Sequence, residues 1–208
     1  MRFPSFIRPA ASLLCMALIA GSPLLAVDAP GSVVAKLEES LSSIDKAASP
    51  ARQRLSVRRV IRDAQKALEA AGAKPERWAI LEFQFRAQQR LVAMDEDSKH
   101  RKALVEIGEA LIKAPKAFAQ YRVDADLLLS QIEQARKGAD ANRGESLLAF
   151  VNRYVGTPAG PKALRAAIVM GLEMGDTRLV NKLRKIAAEH HSSDLEMITF
   201  LRDKLGGQ

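Results

Sequence analysis

After residue 30 the apolar side chains recur every three or four positions, and each run is closed by proline, glycine or a short polar cluster. That period belongs to amphipathic helices. No sustained alternation of apolar and polar residues interrupts it, and no Asn-Gly or Asp-Gly pair offers a hairpin turn. The spacing predicts a first helix over 32–47, with Val33, Leu37, Leu41 and Ile44 inward, and a second over 51–71, with Val57, Val60, Ile61, Ala64 and Leu68 on one stripe. A third over 75–94 carries Trp78, Leu81, Phe85 and Val92, and a fourth over 98–113 carries Leu104, Ile107, Gly108 and Leu111. The pattern resumes over 117–136 (Phe118, Tyr121, Ala125, Leu128, Ile132) and 145–155 (Leu147, Phe150, Val151, Tyr154). It closes with 161–175 (Leu164, Ile168, Leu172), 177–190 (Val180, Leu183, Ile186, Ala187) and a last helix to 205 with Ile198 and Leu201 inward.

The breaks have their own chemistry. Ser49-Pro50 ends one helix and opens the next, because proline fits a first helical turn. Gly72 is placed to close the second helix as an αL cap. Asp95, Glu96 and Asp97 put negative charge at the start of the fourth, where the backbone dipole favours it. No loop of alternating oxygen ligands with a central glycine follows them, so capping accounts for them better than calcium. Residues 137–144 are polar with two glycines and form the best internal linker. Helices of three to five turns joined this way pack as antiparallel neighbours. The expected fold is all-α: antiparallel helical hairpins stacked as a solenoid or gathered into an irregular bundle. Residues 27–208 read as one domain, with a candidate sub-boundary at 137–144.

The N-terminus follows different rules. Arg2 and Arg8 precede the uncharged apolar stretch Ala10–Ala20, Gly21-Ser22-Pro23 breaks it, and no acid occurs before Asp28. This is the pattern of a secretory signal peptide, residues 1–26, cleaved near Ala26, and the stretch is too short for a spanning helix. An exported chain, periplasmic or secreted, is the expectation. The only cysteine, Cys15, lies inside that segment behind Leu14, which excludes lipidation at that residue. The remaining chain of about 180 residues is long enough for one helical domain or a short array. It would have no thiol, which excludes disulfides, thiolate nucleophiles and Cys-ligated metals. The formal charge of +8 falls to +6 without Arg2 and Arg8. Acids and bases interleave through most of what is left.

One charge pattern stands out. Arg54, Arg58, Arg62 and Lys66 are each four residues apart, with Arg52 and Arg59 nearby, opposite the Val57–Leu68 stripe. Such a face is a candidate contact for anionic lipid headgroups or an acidic partner. No aromatic residues interleave with it to stack on bases, so no nucleic-acid partner is expected. Elsewhere the residues argue against chemistry. Adjacent His190 and His191 point apart and suit a negative helix end. His100 lies among Lys99, Arg101 and Lys102 with no evident carboxylate partner. Asp124 and Asp126, two apart on a helix, do not face one another. The aromatic residues Trp78, Phe85, Phe118, Tyr121, Phe150, Tyr154 and Phe200 sit at core spacing, while Phe83 lies off the stripe of its helix. No Gly-x-Ser-x-Gly and no phosphate-binding glycine loop occurs. No catalytic residue, metal or cofactor is expected.

Residues 161–194 resemble one tetratricopeptide-type hairpin: Leu164, the Gly175-Asp176 turn and Ala187 fall where that pattern wants them. Ile168, Gly171, Arg184 and Ser192 depart from it, and Arg184 stands where an apolar residue is usual. The stretch 154–205 is also similar to the helical region preceding a thioredoxin-like domain in exported bacterial redoxin proteins. The shared marks are the Thr-Pro-Ala loop, the Gly-Asp turn and Phe200-Leu201-Arg202-Asp203-Lys204-Leu205. These resemblances imply a helical-repeat interaction or scaffolding module, not an enzyme, that takes a protein or peptide partner in a groove between hairpins. The alternative they imply is an accessory helical domain of a redoxin system whose catalytic domain is not in this sequence.

Overall fold

A computed structural model describes residues 33–46, 49–95, 97–138 and 142–206. The expected signal segment lies outside the described residues. Among those described, the chain forms nine α-helices and no strand. They are α1 Val33–Ser42, α2 Pro50–Ala71, α3 Arg77–Met94, α4 Ser98–Leu111, α5 Ala119–Lys137, α6 Arg143–Asn152, α7 Gly160–Glu173, α8 Thr177–His190 and α9 Leu195–Leu205. Short 3-10 turns follow α1 (Ser43–Lys46) and precede α5 (Lys116–Phe118). The chain divides into two compact units between Ile107 and Gly108, inside α4.

In the first unit α1 packs against α2 and α3, which pack against each other. Ser49 caps α2, its hydroxyl accepting from the Arg52 amide at 3.4 Å, with Pro50 in the first turn. Gly72 closes α2 with φ 56°, a value glycine adopts freely, but its ψ of −120° is not that of the αL cap the sequence suggested. The core gathers Leu37, Leu41, Ile44, Val57, Val60, Ala64, Ile80, Phe83, Ala87 and Leu91. Val33, expected inward, is 50% exposed at the first position of α1. α3 departs most from a one-sided helix. It buries Ala79, Ile80, Leu81, Phe83, Gln84, Phe85, Ala87, Gln88 and Leu91, which span about two-thirds of its circumference. Phe83 therefore needs no stripe of its own. The buried amides are satisfied: Gln84 donates to the Gln65 carbonyl at 3.0 Å, and Gln88 to the His100 main-chain oxygen at 2.9 Å.

The second unit buries Val123, Leu127, Leu147, Phe150, Val151, Tyr154, Leu164, Ile168, Leu183 and Met197 in one core. Fully burying each such large side chain contributes roughly 1.5–3 kcal/mol. Residues from α5 and α6 share that core, and the polar stretch 137–144 falls inside the second unit. Caps fix the helix starts. Asn142, Asp176 and Asp194 accept from the amides of Glu145, Leu179 and Met197 at 3.1, 2.9 and 3.0 Å. Gly175 turns the chain between α7 and α8 at φ 67°. On α9 the inward line begins at Met197, which is fully buried, while Ile198 is 45% exposed. Ile198, Leu201 and Leu205 also follow helical spacing, so the period alone does not choose between Met197 and Ile198; the packing of α9 against α7 does.

Candidate functional site

Two surfaces carry chemistry that the folding of each unit leaves unused. The first is the outer side of α2. Arg54, Arg58, Arg62 and Lys66 are all exposed there, as expected. A strict four-residue spacing, however, advances about 40° around a helix at each step. The line farthest from the buried Val57–Ala64 stripe is instead Arg52, Leu55, Arg59, Arg62 and Lys66, whose steps of three and four keep them in register. Leu55 lies among these cations and is 64% exposed.

Arg58 has another task. Its guanidinium donates to Asp95 at 2.9 Å and stands 3.2 Å from His100 Nε2. An arginine N–H can only donate, so this contact is a hydrogen bond only where Nε2 is the ring's unprotonated nitrogen. His100 Nε2 is also 3.8 Å from the Asp95 carboxylate. The carboxylate neighbour that the sequence did not reveal is thus five residues upstream, brought back by the turn before α4. Asp97, at the same turn, accepts from the Lys99 amide at 2.8 Å, the capping role expected of it.

The second surface is a groove of about 490 Å³ in the second unit. Its α8 wall is Asn181, Arg184, Lys185 and Ala188, and Leu201, Arg202, Leu205 and Gly206 face them. A smaller recess of about 130 Å³ shares Asn181, Arg184 and Leu205 and reaches Gly175 and Thr177. The apolar lining is Ala188, Leu201 and Leu205, and two arginines, a lysine and an amide stand around it. Arg202 is 3.3 Å from Asp203, and Lys185 is 3.9 Å from Glu189. Both are exposed pairs of the kind that contribute little and open readily. The sequence carried a signal for this wall: 181, 184, 185 and 188 repeat the i, i+3, i+4, i+7 period, offset from the buried stripe Leu179, Val180, Leu183 and Ala187.

The remaining polar side chains are absorbed by structure. Asp124, buried on α5, accepts from Lys162 Nζ at 2.6 Å. Asp126 accepts two bonds from Arg153, at 3.0 and 2.8 Å, and one from the Tyr154 hydroxyl at 2.9 Å. The two aspartates serve different partners, as their spacing requires. Burial, then the adjacent Asp126 carboxylate, pushes the Tyr154 phenol well above its usual range. In the first unit, burial opposes the charge of Arg86. Glu82 and Glu38 outweigh it and hold the guanidinium above its ordinary value. His191 packs its ring against Gly160 rather than turning to solvent, and its Nε2 is buried with no hydrogen-bond partner among the described residues. His190 beside it is exposed. Among the described residues no three His, Cys, Asp or Glu side chains converge as a metal site would require. No described helix is long and apolar enough to cross a membrane.

No protein-family model, no curated protein and no solved structure matches this chain.

Proposed function

We propose that the chain is an exported helical interaction module that performs no chemistry of its own and holds an acidic, partly apolar peptide segment in the α8–α9 groove. The groove's composition carries the reading. Arg184, Lys185 and Arg202 attract carboxylates, Asn181 offers an amide, and Ala188, Leu201 and Leu205 accept apolar side chains. The recess of about 490 Å³ is open to solvent, which suits a few residues of an extended peptide lying across it rather than an enclosed small molecule. The pairing of Asp124, Asp126, Asp95, Glu38 and Glu82 with structural cations also favours binding over catalysis. None of these carboxylates stands unpaired beside a nucleophile or base.

Fluorescence anisotropy with a labelled peptide of alternating glutamate and leucine tests the reading. Binding should weaken at least tenfold in the Arg184→Glu, Arg202→Glu double variant, since reversing two cations turns attraction into repulsion. Equal affinity for a peptide of alternating lysine and leucine would sink it.

A further inference from the structure

We propose that the outer side of α2 is a docking surface for anionic lipid, with Leu55 entering the boundary between headgroups and acyl chains while the flanking cations meet phosphates. This inference concerns the first unit and does not depend on the groove of the second.

Arg52, Leu55, Arg59, Arg62 and Lys66 follow one another at steps of three, four, three and four, so a single line of the helix presents them together. All five are exposed. A lone exposed leucine is ordinary on a protein surface. Leu55 is different because cations flank it along the same line. Charged groups normally accompany an apolar side chain in this way where it enters an interface between water and hydrocarbon.

The placement of the arginines adds a second argument. Five of them, at 52, 54, 58, 59 and 62, occupy the first 13 residues of α2, and its first turn holds no acid. Arg52 lies in the first turn, the helix's positive pole, where a cation is unfavourable and an anionic ligand would reverse the sign; the other four extend the positive charge along the helix. Arg58 is neutralised by Asp95, and the helix's own acids are Asp63 and Glu69. Basic side chains therefore remain in excess on the outer line. The shape decides between ligands: one side of one helix is convex, matching a plane and giving no enclosure to a partner's side chain. No aromatic residue on α2 offers a stacking platform for nucleobases.

The test is co-sedimentation of the full chain with phosphatidylcholine vesicles, with and without phosphatidylglycerol, over a salt series. Residues 1–32 are common to parent and variants, so whatever the Ala10–Ala20 stretch contributes cancels between them. The expected result is binding that requires phosphatidylglycerol and falls steeply with salt. Arg59→Gln with Arg62→Gln should weaken it about 30-fold. Leu55→Ser should weaken it about tenfold at every salt concentration. Arg184→Gln with Arg202→Gln, in the other unit, should leave it unchanged. All are surface positions, and circular dichroism verifies that helix content is kept. Variants at 55, 59 and 62 that bind phosphatidylglycerol vesicles like the parent would overturn the proposal. Absence of vesicle binding would also overturn it, and poly-glutamate capture that persists in the Arg184→Gln, Arg202→Gln variant would then favour a soluble acidic partner for α2.

Discussion

Tyr154 shows how one side chain couples packing to pH. Its ring is fully buried against Phe150, their centroids 5.3 Å apart, and its hydroxyl donates to Asp126. The folded chain therefore keeps the phenol protonated beyond tyrosine's ordinary value of 10.0. From about pH 10 upward the unfolded chain binds fewer protons than the folded one, so stability that is complete below that pH declines as pH rises. Urea midpoints followed from neutral to strongly alkaline pH are expected to show this decline in the parent and to lack most of it in Tyr154→Phe. At neutral pH the same substitution should cost about 1–2 kcal/mol for the lost bond to a charged acceptor. Gly160 is a second residue whose effect is local and steric. A Cβ there would stand 3.0 Å from the Tyr154 carbonyl oxygen and 3.0 Å from His191 Nε2. The main-chain oxygen has little freedom to move, so Gly160→Ala should destabilise the second unit by roughly 1–3 kcal/mol in urea unfolding.

Helix ends decide much at the element scale. Asp176 and Asp194 each tie down the amide three residues on, in the first turn of the following helix. Asp176→Ala is expected to lower stability by about 1 kcal/mol and to raise hydrogen exchange in the first turn of α8. Losing that turn would also loosen Asn181 and Arg184 one turn on, so peptide affinity at the groove should fall alongside. The orientation of the helices was less legible. α8 has one buried stripe and one groove stripe, and the sequence displayed both. α3 has no single stripe because it is enclosed over about two-thirds of its circumference, and no reading built on one inward face places Phe83, Gln84 and Gln88 together. The inward register of α9 was ambiguous for another reason. Met197 and Ile198 are adjacent and both apolar, and only the packing of α9 against α7 separates them.

At the scale of the whole molecule, the described residues form two cores rather than one. Phe83 anchors the first and Phe150 the second, and both are fully buried. Truncating either to alanine should cost about 3–5 kcal/mol. Because each core belongs to its own compact unit, amide exchange should accelerate chiefly within 33–107 for Phe83→Ala and within 108–206 for Phe150→Ala. The strongest linker signal in the sequence, at 137–144, falls inside the second unit, while the division at Ile107 and Gly108 falls inside a helix with no breaking residue but the glycine. Local composition marks where the backbone turns. It does not record which helices share a core, because that depends on contacts between residues far apart in the chain.

The sequence alone determined the helical class, the approximate bounds of the helices, their caps and the presence of a cation-rich side on α2. These are local properties, set by hydrogen bonding within a few residues and by the period at which apolar groups recur. The tertiary structure decided that Asp95 claims Arg58 and leaves Arg59 on the outer line. It also opened the groove between Arg184 and Arg202 and divided the burial between two cores. Each of these depends on distance in space, since a charge is neutralised or left available by the partner that folding brings within a few ångströms of it.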